Sequence, residues 1–451
     1  MATVINPTSG HLSAGLRAGV DRVNATVRTR FSYAAFFGAF LLGLGSRLEY
    51  QIIGYLPFTE IGMLIAMPFL LPRLTSTSVR QRTRLVIPLA FFWLVNLFIS
   101  DIYRETDWSL AARGAARIVI FLIAIPFFVY FLRKDVYEKL VGFYAGATIS
   151  AVLSGFVFKS GARAGRAIVF GTDDLTWETH WGPVLLLGLA LSTLLLYRRS
   201  HLLAYGVCAT CGIIQLVNGS RSIAGMLLLG PLLTLVLNVT GIQGGSKRLV
   251  TGSRALQLLL VAAVGLMSAY AVVTAYSWSA ESGMLGERAY TKYMSQSRNR
   301  FGLIFGGRGD VVAAGMAIAD SPLIGQGSWP KDRNGYLARA CELTETKLPQ
   351  DFYRSAFPII PSHSHVMQAW MEGGIMGGVF WLYVLVIIAI GLASQAQDRE
   401  KLLLWACVVA TSLVWNILFS PISARVDESL LVAFFLTQML PWPGSSVSTV
   451  K

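Results

Sequence analysis

Gly114–Phe131 reads GAARIVIFLIAIPFFVYF, and Leu132-Arg133-Lys134 follows at once. A membrane-spanning helix needs about 20 mostly apolar residues, because the hydrocarbon layer is about 30 Å thick. Only helices or closed barrels satisfy their backbone polar groups in lipid. This run is too long and too uniformly apolar for the alternating strands of a barrel. A helix that stops at a basic turn is the reading that remains.

Working outward from it, the same pattern recurs. Phe31–Gly45, Pro57–Leu71 and Leu85–Ser100 precede it, and Leu140–Val157, Trp181–Leu196, His201–Val217, Ile223–Val239 and Ala255–Ala275 follow. Met376–Leu392, Leu402–Phe419 and Leu430–Leu440 complete the set. The expectation is an all-α polytopic membrane protein of about twelve transmembrane helices. Composition agrees, with 54% hydrophobic and 14% charged residues against about 25% charged in a soluble domain.

The net charge of +14 suggests nucleic acid until its distribution is read. Arg17, Arg22, Arg28 and Arg30 precede the first run; Arg73, Arg80, Arg82 and Arg84 lie between the second and third. Arg133, Lys134, Lys139, Arg198, Arg199, Lys247, Arg248, Arg254, Arg399 and Lys401 continue the alternation. The other turns hold Glu49, Asp101, Glu105, Asp107, Asp173, Asp174, Glu178, Asp427 and Glu428. Lys159–Arg166 alone breaks the pattern. A positive-inside bias over six segments predicts both termini in the cytoplasm, and no nucleic-acid partner. The layout is then a cytoplasmic tail over 1–30, helices 1–9 over 31–277, a large outer loop over 278–362, helices 10–12 over 363–440 and a cytoplasmic tail over 441–451. The first thirty residues lack a cleavage site and read as a retained tail. The cysteines form no disulfide framework or zinc set. Cys208 and Cys211 have redox-motif spacing, but read as two small buried side chains.

Polar residues at the rim carry the candidate chemistry. Arg221 follows Asn218-Gly219-Ser220 in a very short outer turn. It either snorkels to the headgroups or meets an anion. Arg113 and Arg117 are four apart and share a helix face, where they repel unless an anion, Asp101 or Glu105 lies nearby. Trp93, Trp108, Trp177, Trp181, Trp278 and Trp381 read as interfacial anchors. In the loop, whose ten basic and eight acidic residues nearly cancel, Arg288, Lys292, Arg298 and Arg300 form either a solvated face or an anion track. Asp310 is an N-cap candidate for a short amphipathic helix over Val311–Ala319 that stops at Asp320-Ser321-Pro322. Arg308 precedes that helix, either paired with Asp310 or facing an anion at the helix N-terminus. Ser362-His363-Ser364-His365 opens the next helix, as caps or with one imidazole as a general base. A metal reading needs further ligands, and two histidines two apart are weak evidence for one. Glu372 is two turns beyond His365, too far to orient it. Gly373-Gly374 and Gly377-Gly378 predict a close helix approach or a broken span.

Taken together, Gly219-Ser220-Arg221-Ser222, Gly307-Arg308 through Asp320-Ser321-Pro322-Leu323-Ile324-Gly325-Gln326-Gly327, and His363-Ser364-His365-Val366-Met367-Gln368 through Glu372-Gly373-Gly374-Ile375-Met376-Gly377 resemble the O-antigen polymerase and O-antigen ligase superfamily of bacterial envelope glycosyltransferases. The resemblance implies a GT-C-like fold with one large periplasmic loop, in the bacterial inner membrane, with its active site facing the periplasm. It implies a polyprenyl-pyrophosphate-linked glycan as donor, and no cofactor or metal. Inner-membrane lipid, a chain-length regulator and a flippase are the implied partners. The expected activity is polymerisation of repeat units into O-antigen or exopolysaccharide by inverting transfer. The alternatives are a ligase acting on lipopolysaccharide core and a twelve-helix transporter or flippase. In this reading His365 is the general base, and Arg221 and Arg308 hold the pyrophosphate. Arg113, Arg117, Arg288, Arg300, His363 and Gln368 line the substrate. The family often has asparagine after its key histidine, where His365 is followed by Val366. The choice between His363 and His365 therefore stays open, with His365 preferred because Met367-Gln368 follows it at the expected interval.

Overall fold

The computed structural model describes residues 31–51, 55–157, 182–217, 221–239, 267, 270, 274–284, 286–287, 290–291, 293–294, 309–344, 358–398, 402–422 and 425–439. The chain is mostly helical, and among the described residues helices stand where the apolar runs predict them. They are α1 (Tyr33–Gly45), α2 (Phe58–Leu74), α3 (Thr77–Thr83), α4 (Val86–Tyr103), α5 (Trp108–Phe131), α6 (Val136–Val157), α7 (Gly182–Leu196), α8 (His201–Val217) and α9 (Arg221–Val239). After the loop come α12 (His365–Asp398), α13 (Leu403–Phe419) and α14 (Arg425–Met439). A small antiparallel hairpin, β1 (Glu49–Gln51) with β2 (Tyr55–Pro57), joins α1 to α2. Most of the run 255–275 lies outside the described residues, as do both tails, Asp173, Asp174, Glu178 and the bases of 159–166.

Among the described residues, Val86–Tyr103, Trp108–Phe131 and His365–Gln395 are long and apolar enough to cross a membrane. The pair α2 and α3 makes a fourth if its 104° bend lies within one span. Tyr33–Gly45, Val184–Leu196, His201–Leu216, Ser222–Asn238 and Leu403–Phe419 are shorter apolar helices. The outward faces carry bare apolar side chains such as Phe37, Phe69, Phe91, Phe92 and Ile99. Such a surface suits a hydrocarbon solvent, where no polar coat is needed.

The core gathers around α5, α12, α13 and α14. Ile118, Phe121, Ile125 and Phe128 of α5 pack with Trp381, Val384 and Ile388 of α12 and with Leu430, Phe434 and Phe435 of α14. From Glu428 to Thr437 every residue of α14 is buried, the mark of a central helix enclosed on all sides. Glycines set the closest helix pair. A Cβ at Gly43 would stand 2.0 Å from the Phe143 carbonyl oxygen, and one at Gly146 would stand 2.1 Å from that of Phe40. Small residues therefore bring the α1 and α6 backbones into contact, as in membrane helix pairs generally.

Two of the expected interfacial anchors prove to be core residues. Trp93 and Trp381 are fully buried; Trp93 meets Phe380 at a tilt and Trp381 meets Phe121 edge-on. They fall inside because neighbouring helices of the bundle pack over them, Trp93 against Gly373 and Gly377 of α12. Trp108 and Trp278 stand exposed, as an anchor requires.

The loop forms a small lobe on one end of the bundle. Its helices are α10 (Gly309–Asp320) and α11 (Tyr336–Thr344). Ala313, Ala314 and Ala317 pack with Tyr336, Leu337, Ala340 and Ile360, and with Met371 of α12. The helix expected over 311–319 is present. Asp310 lies one residue inside it, in the first turn, where a carboxylate still meets the positive helix end.

Charge is divided between the two ends. At the lobe end Arg47 pairs with Asp427, Arg425 with Glu60, and Lys331 lies 3.8 Å from Asp107. At the far end Arg198 lies over Tyr137 and Lys139 over Phe131, beside Arg133.

Candidate functional site

The site begins with a break in α12. Gly373 (φ −113°, ψ 23°) and Gly374 (φ 64°, ψ −165°) leave the helical region. The second conformation is open essentially to glycine alone. A break frees backbone carbonyls that must find donors. The segment after α10 supplies them. Gln326 N donates to the Met371 carbonyl at 2.7 Å, and Gly327 N donates to that of Glu372 at 3.1 Å. Asn96 of α4 donates to the carbonyls of Gly373 (2.7 Å) and Leu323 (2.9 Å). Close approach at Gly325 is obligatory, since a Cβ there would lie 2.6 Å from the Glu372 oxygen. The same strap is tied to α4 by Asp101, which accepts from Ser328 N at 2.6 Å and Ser328 Oγ at 2.8 Å. Arg104 Nε reaches the Gly325 carbonyl at 3.3 Å. Residues 321–328 therefore plug the broken helix and hold the lobe to the bundle.

The break positions Glu372 inside. Its carboxylate pairs with Arg117, with side-chain exposures of only 2% and 5%. Gln368 Nε2 donates to Glu372 Oε1 at 3.0 Å, while Gln368 Oε1 accepts from Ile422 N at 3.0 Å. Arg117 and Gln368, both expected to line substrate, are thus committed to protein partners. The partner for Arg117 is neither Asp101 nor Glu105. Arg113, one turn earlier, is exposed.

The two histidines have opposite surroundings. His365 is fully buried. Its Nδ1 lies 2.7 Å from the Ser420 carbonyl, and its Nε2 lies 2.8 Å from Glu428 Oε1. A carbonyl only accepts, so Nδ1 carries a proton. The shared proton on the other side then lies between Nε2 and Glu428, and both ring nitrogens are occupied. Trp381 meets the ring edge-on at 4.7 Å between centroids. As expected, Glu372 plays no part in holding this ring. His363 instead keeps 45% of its side chain exposed, and its Nδ1 pairs with Asp310 of α10. A proton held on Nδ1 toward that carboxylate makes Nε2 the basic nitrogen of the neutral ring.

The first turn of α14 closes the rim. Arg425 takes Glu60 with Nε and Nη2 at 2.8 and 2.9 Å, and the neighbouring residues take Arg47 and His365. One turn of helix thus ties together α2, the segment after α1, and α12. Outside the membrane-facing helices, burial and the Asp320 hydrogen bond raise the Tyr336 hydroxyl above its ordinary pKa.

Several expected residues lie beyond this description. Arg288, Arg300 and Arg308 are outside the described residues. Arg221 opens α9. Among the described residues no group of three or more His, Cys, Asp or Glu side chains gathers to hold a metal ion.

Sequence reasoning missed Asp310 as a partner of His363, Glu428 as a partner of His365, and the Arg425–Glu60 pair. The first two pairs are 53 and 63 residues apart and the third 365. No local spacing announces contacts of that range. Comparison with protein-family models, curated proteins and solved structures returns no match for this chain.

Proposed function

We propose that this chain is a glycosyltransferase of the outer face of the bacterial inner membrane, polymerising polyprenyl-pyrophosphate-linked repeat units. The observation that carries this reading is the half-exposed His363, paired with Asp310 at the lobe end of an apolar bundle. A sugar hydroxyl is a poor nucleophile until a base draws its proton. His363 Nε2 suits that role, and Asp310 holds the ring and its tautomer, as the third group of a nucleophile–base pair does. His365, though preferred from the sequence, is enclosed and has both nitrogens engaged, which suits a structural part.

The proposed step is a single displacement. The acceptor hydroxyl oxygen bonds to the anomeric carbon of the donor as the carbon–oxygen bond to pyrophosphate breaks. The hydroxyl proton passes to His363 Nε2, and the polyprenyl pyrophosphate leaves with the bonding pair. Attack from the opposite face inverts the anomer. Arg221 and Arg308 are the proposed cations for the leaving group, because charge developing there is best met by fixed donors. Arg113, exposed near the rim, is a further candidate for the headgroup side. The apolar outer surface suits the polyprenyl chain. Twelve spans and the periplasmic placement of the lobe belong to this proposal. A secondary transporter more often places its ionisable residues near the midplane; four of the described ion pairs stand instead at the lobe end, and the Arg117–Glu372 pair lies inside the bundle.

The test is polymer formed from purified lipid-linked repeat units by the protein in lipid. Chains longer than one repeat, lost on His363→Ala, support the reading. Intact polymer stranded on its lipid carrier in a deletion strain assigns the chain to ligation instead. No glycan change in the deletion strain overturns both.

A further inference from the structure

The lobe contains a cleft that the chemistry above does not use. It lies between α10 and α11 and holds about 500 Å³, within the range of roughly 300–1,000 Å³ typical of small-ligand sites. Met316 and Leu343 give it apolar wall, and Asp320, Arg339, Glu342 and Tyr336 supply polar groups. Asp320, Arg339 and Glu342 are solvent-exposed, while Tyr336 is buried and donates its hydroxyl to Asp320 Oδ2 at 2.6 Å. Asn334 donates to the same hydroxyl at 2.7 Å, so the Tyr336 ring is fixed from both sides.

We propose that this cleft is a distal subsite for the sugar rings of the acceptor glycan; the inference rests on the reading that His363 activates that glycan's hydroxyl. Two observations join the places. Asp310 and Asp320 stand at opposite ends of the same helix, α10. Ten residues of helix at ~1.5 Å each put them about 15 Å apart, a distance that a few linked pyranose rings span. A glycan whose terminal hydroxyl reaches His363 and which runs along α10 therefore enters the cleft with an inner ring.

The lining fits that class of ligand. Carboxylates at Asp320 and Glu342 accept from ring hydroxyls, and the Arg339 guanidinium donates to ring and hydroxyl oxygens. Met316 and Leu343 suit the C–H faces of a pyranose. Asp320 and Glu342 outnumber Arg339 in the lining, so the cleft disfavours uronic acids and other anionic sugars by like-charge repulsion. Tyr336, held by Asp320 and Asn334, gives the cleft one fixed polar group against which a ring can be read. The subsite would thus select acceptor glycans that carry a neutral or amino sugar a few rings from the growing end.

The experiment uses the full chain in lipid nanodiscs. The probe is the oligosaccharide released by mild acid from the source cell's own polyprenyl-linked repeat unit. Its binding is followed by ligand-observed NMR to the wild type and to an Arg339→Gln/Glu342→Gln variant. Both substituted side chains are exposed, so the variant should keep the wild-type melting temperature. About a tenfold rise in Kd supports the subsite, as expected when charge-assisted hydrogen bonds are removed. Absent binding to the wild type, or equal affinity in the variant, overturns it. Polymer formation from lipid-linked donor reports separately on the proposed activity. Binding that depends on Arg339 and Glu342 in a protein that forms no polymer keeps the glycan site and removes the polymerase reading.

Discussion

Arg425 holds Glu60 through two guanidinium nitrogens, Nε at 2.8 Å and Nη2 at 2.9 Å, and so locks the first turn of α14 to the first turn of α2. The Glu60 side chain is fully enclosed, while that of Arg425 is 21% exposed. Removing one partner of a buried pair costs roughly 3–5 kcal/mol, with the low end expected for a partly exposed partner. Arg425→Ala should therefore lower the melting temperature in detergent, and Glu60→Leu with Arg425→Met should recover most of the loss. Equal melting of Arg425→Ala and wild type would show that the pair contributes nothing.

His363 and His365 should separate cleanly in mutagenesis. A positioned base contributes about 10²–10⁴-fold, so His363→Ala should lose that much turnover with unchanged melting. Asp310→Asn should lower kcat with little change in KM, because the carboxylate acts through the ring and not on substrate. His365→Ala should instead melt earlier, since it leaves Glu428 buried beside an empty space. Normal stability with abolished turnover in His365→Ala would return the base to that residue.

The leaving-group arginines rest on the sequence pattern. Arg221→Lys keeps the charge but loses the planar fork, so turnover should fall. Assayed at matched protein levels, full activity of Arg221→Ala and Arg308→Ala, each alone, would leave both with structural roles.

Gly374→Ala tests the plugged helix. At φ 64°, ψ −165° any side chain is strained, at a cost of about 1–3 kcal/mol. Its Cβ would also meet the Leu323 carbonyl oxygen at 2.1 Å. The strap over 321–328 should be displaced and become sensitive to protease added at the lobe side. Unchanged cleavage would mean that the break tolerates a side chain.

Topology is tested by cysteine labelling in intact cells, in a background free of native cysteine. A probe at Lys331, whose side chain is 46% exposed on the lobe, should react from outside. Probes near Arg82, at the exposed Arg84, and near Lys247 should not. Reaction at Arg84 would invert the orientation and move the lobe to the cytoplasm.

The helices were legible in the sequence because they are local. A run such as Gly114–Phe131 has no alternative in lipid, and α10 with its stop at Asp320-Ser321-Pro322 follows from caps and proline. Gly373-Gly374 signalled either a close helix approach or a broken span for the same reason, since paired glycines are a local feature. What the segment 321–328 does with that break was not visible, since the donors come from a different element.

By itself, then, the sequence determined that the chain is a set of apolar helices with one polar lobe, and that two histidines stand at the entry of α12. Which histidine is exposed, which acid meets each cation, and whether Trp93 and Trp381 face lipid or core were decided only by tertiary packing. The physical reason is range. Helix and turn propensities act over a few residues, whereas burial and charge pairing depend on which distant segments arrive beside a side chain. His363 and His365 differ by two positions, yet one meets Asp310 at the surface and the other Glu428 in the interior.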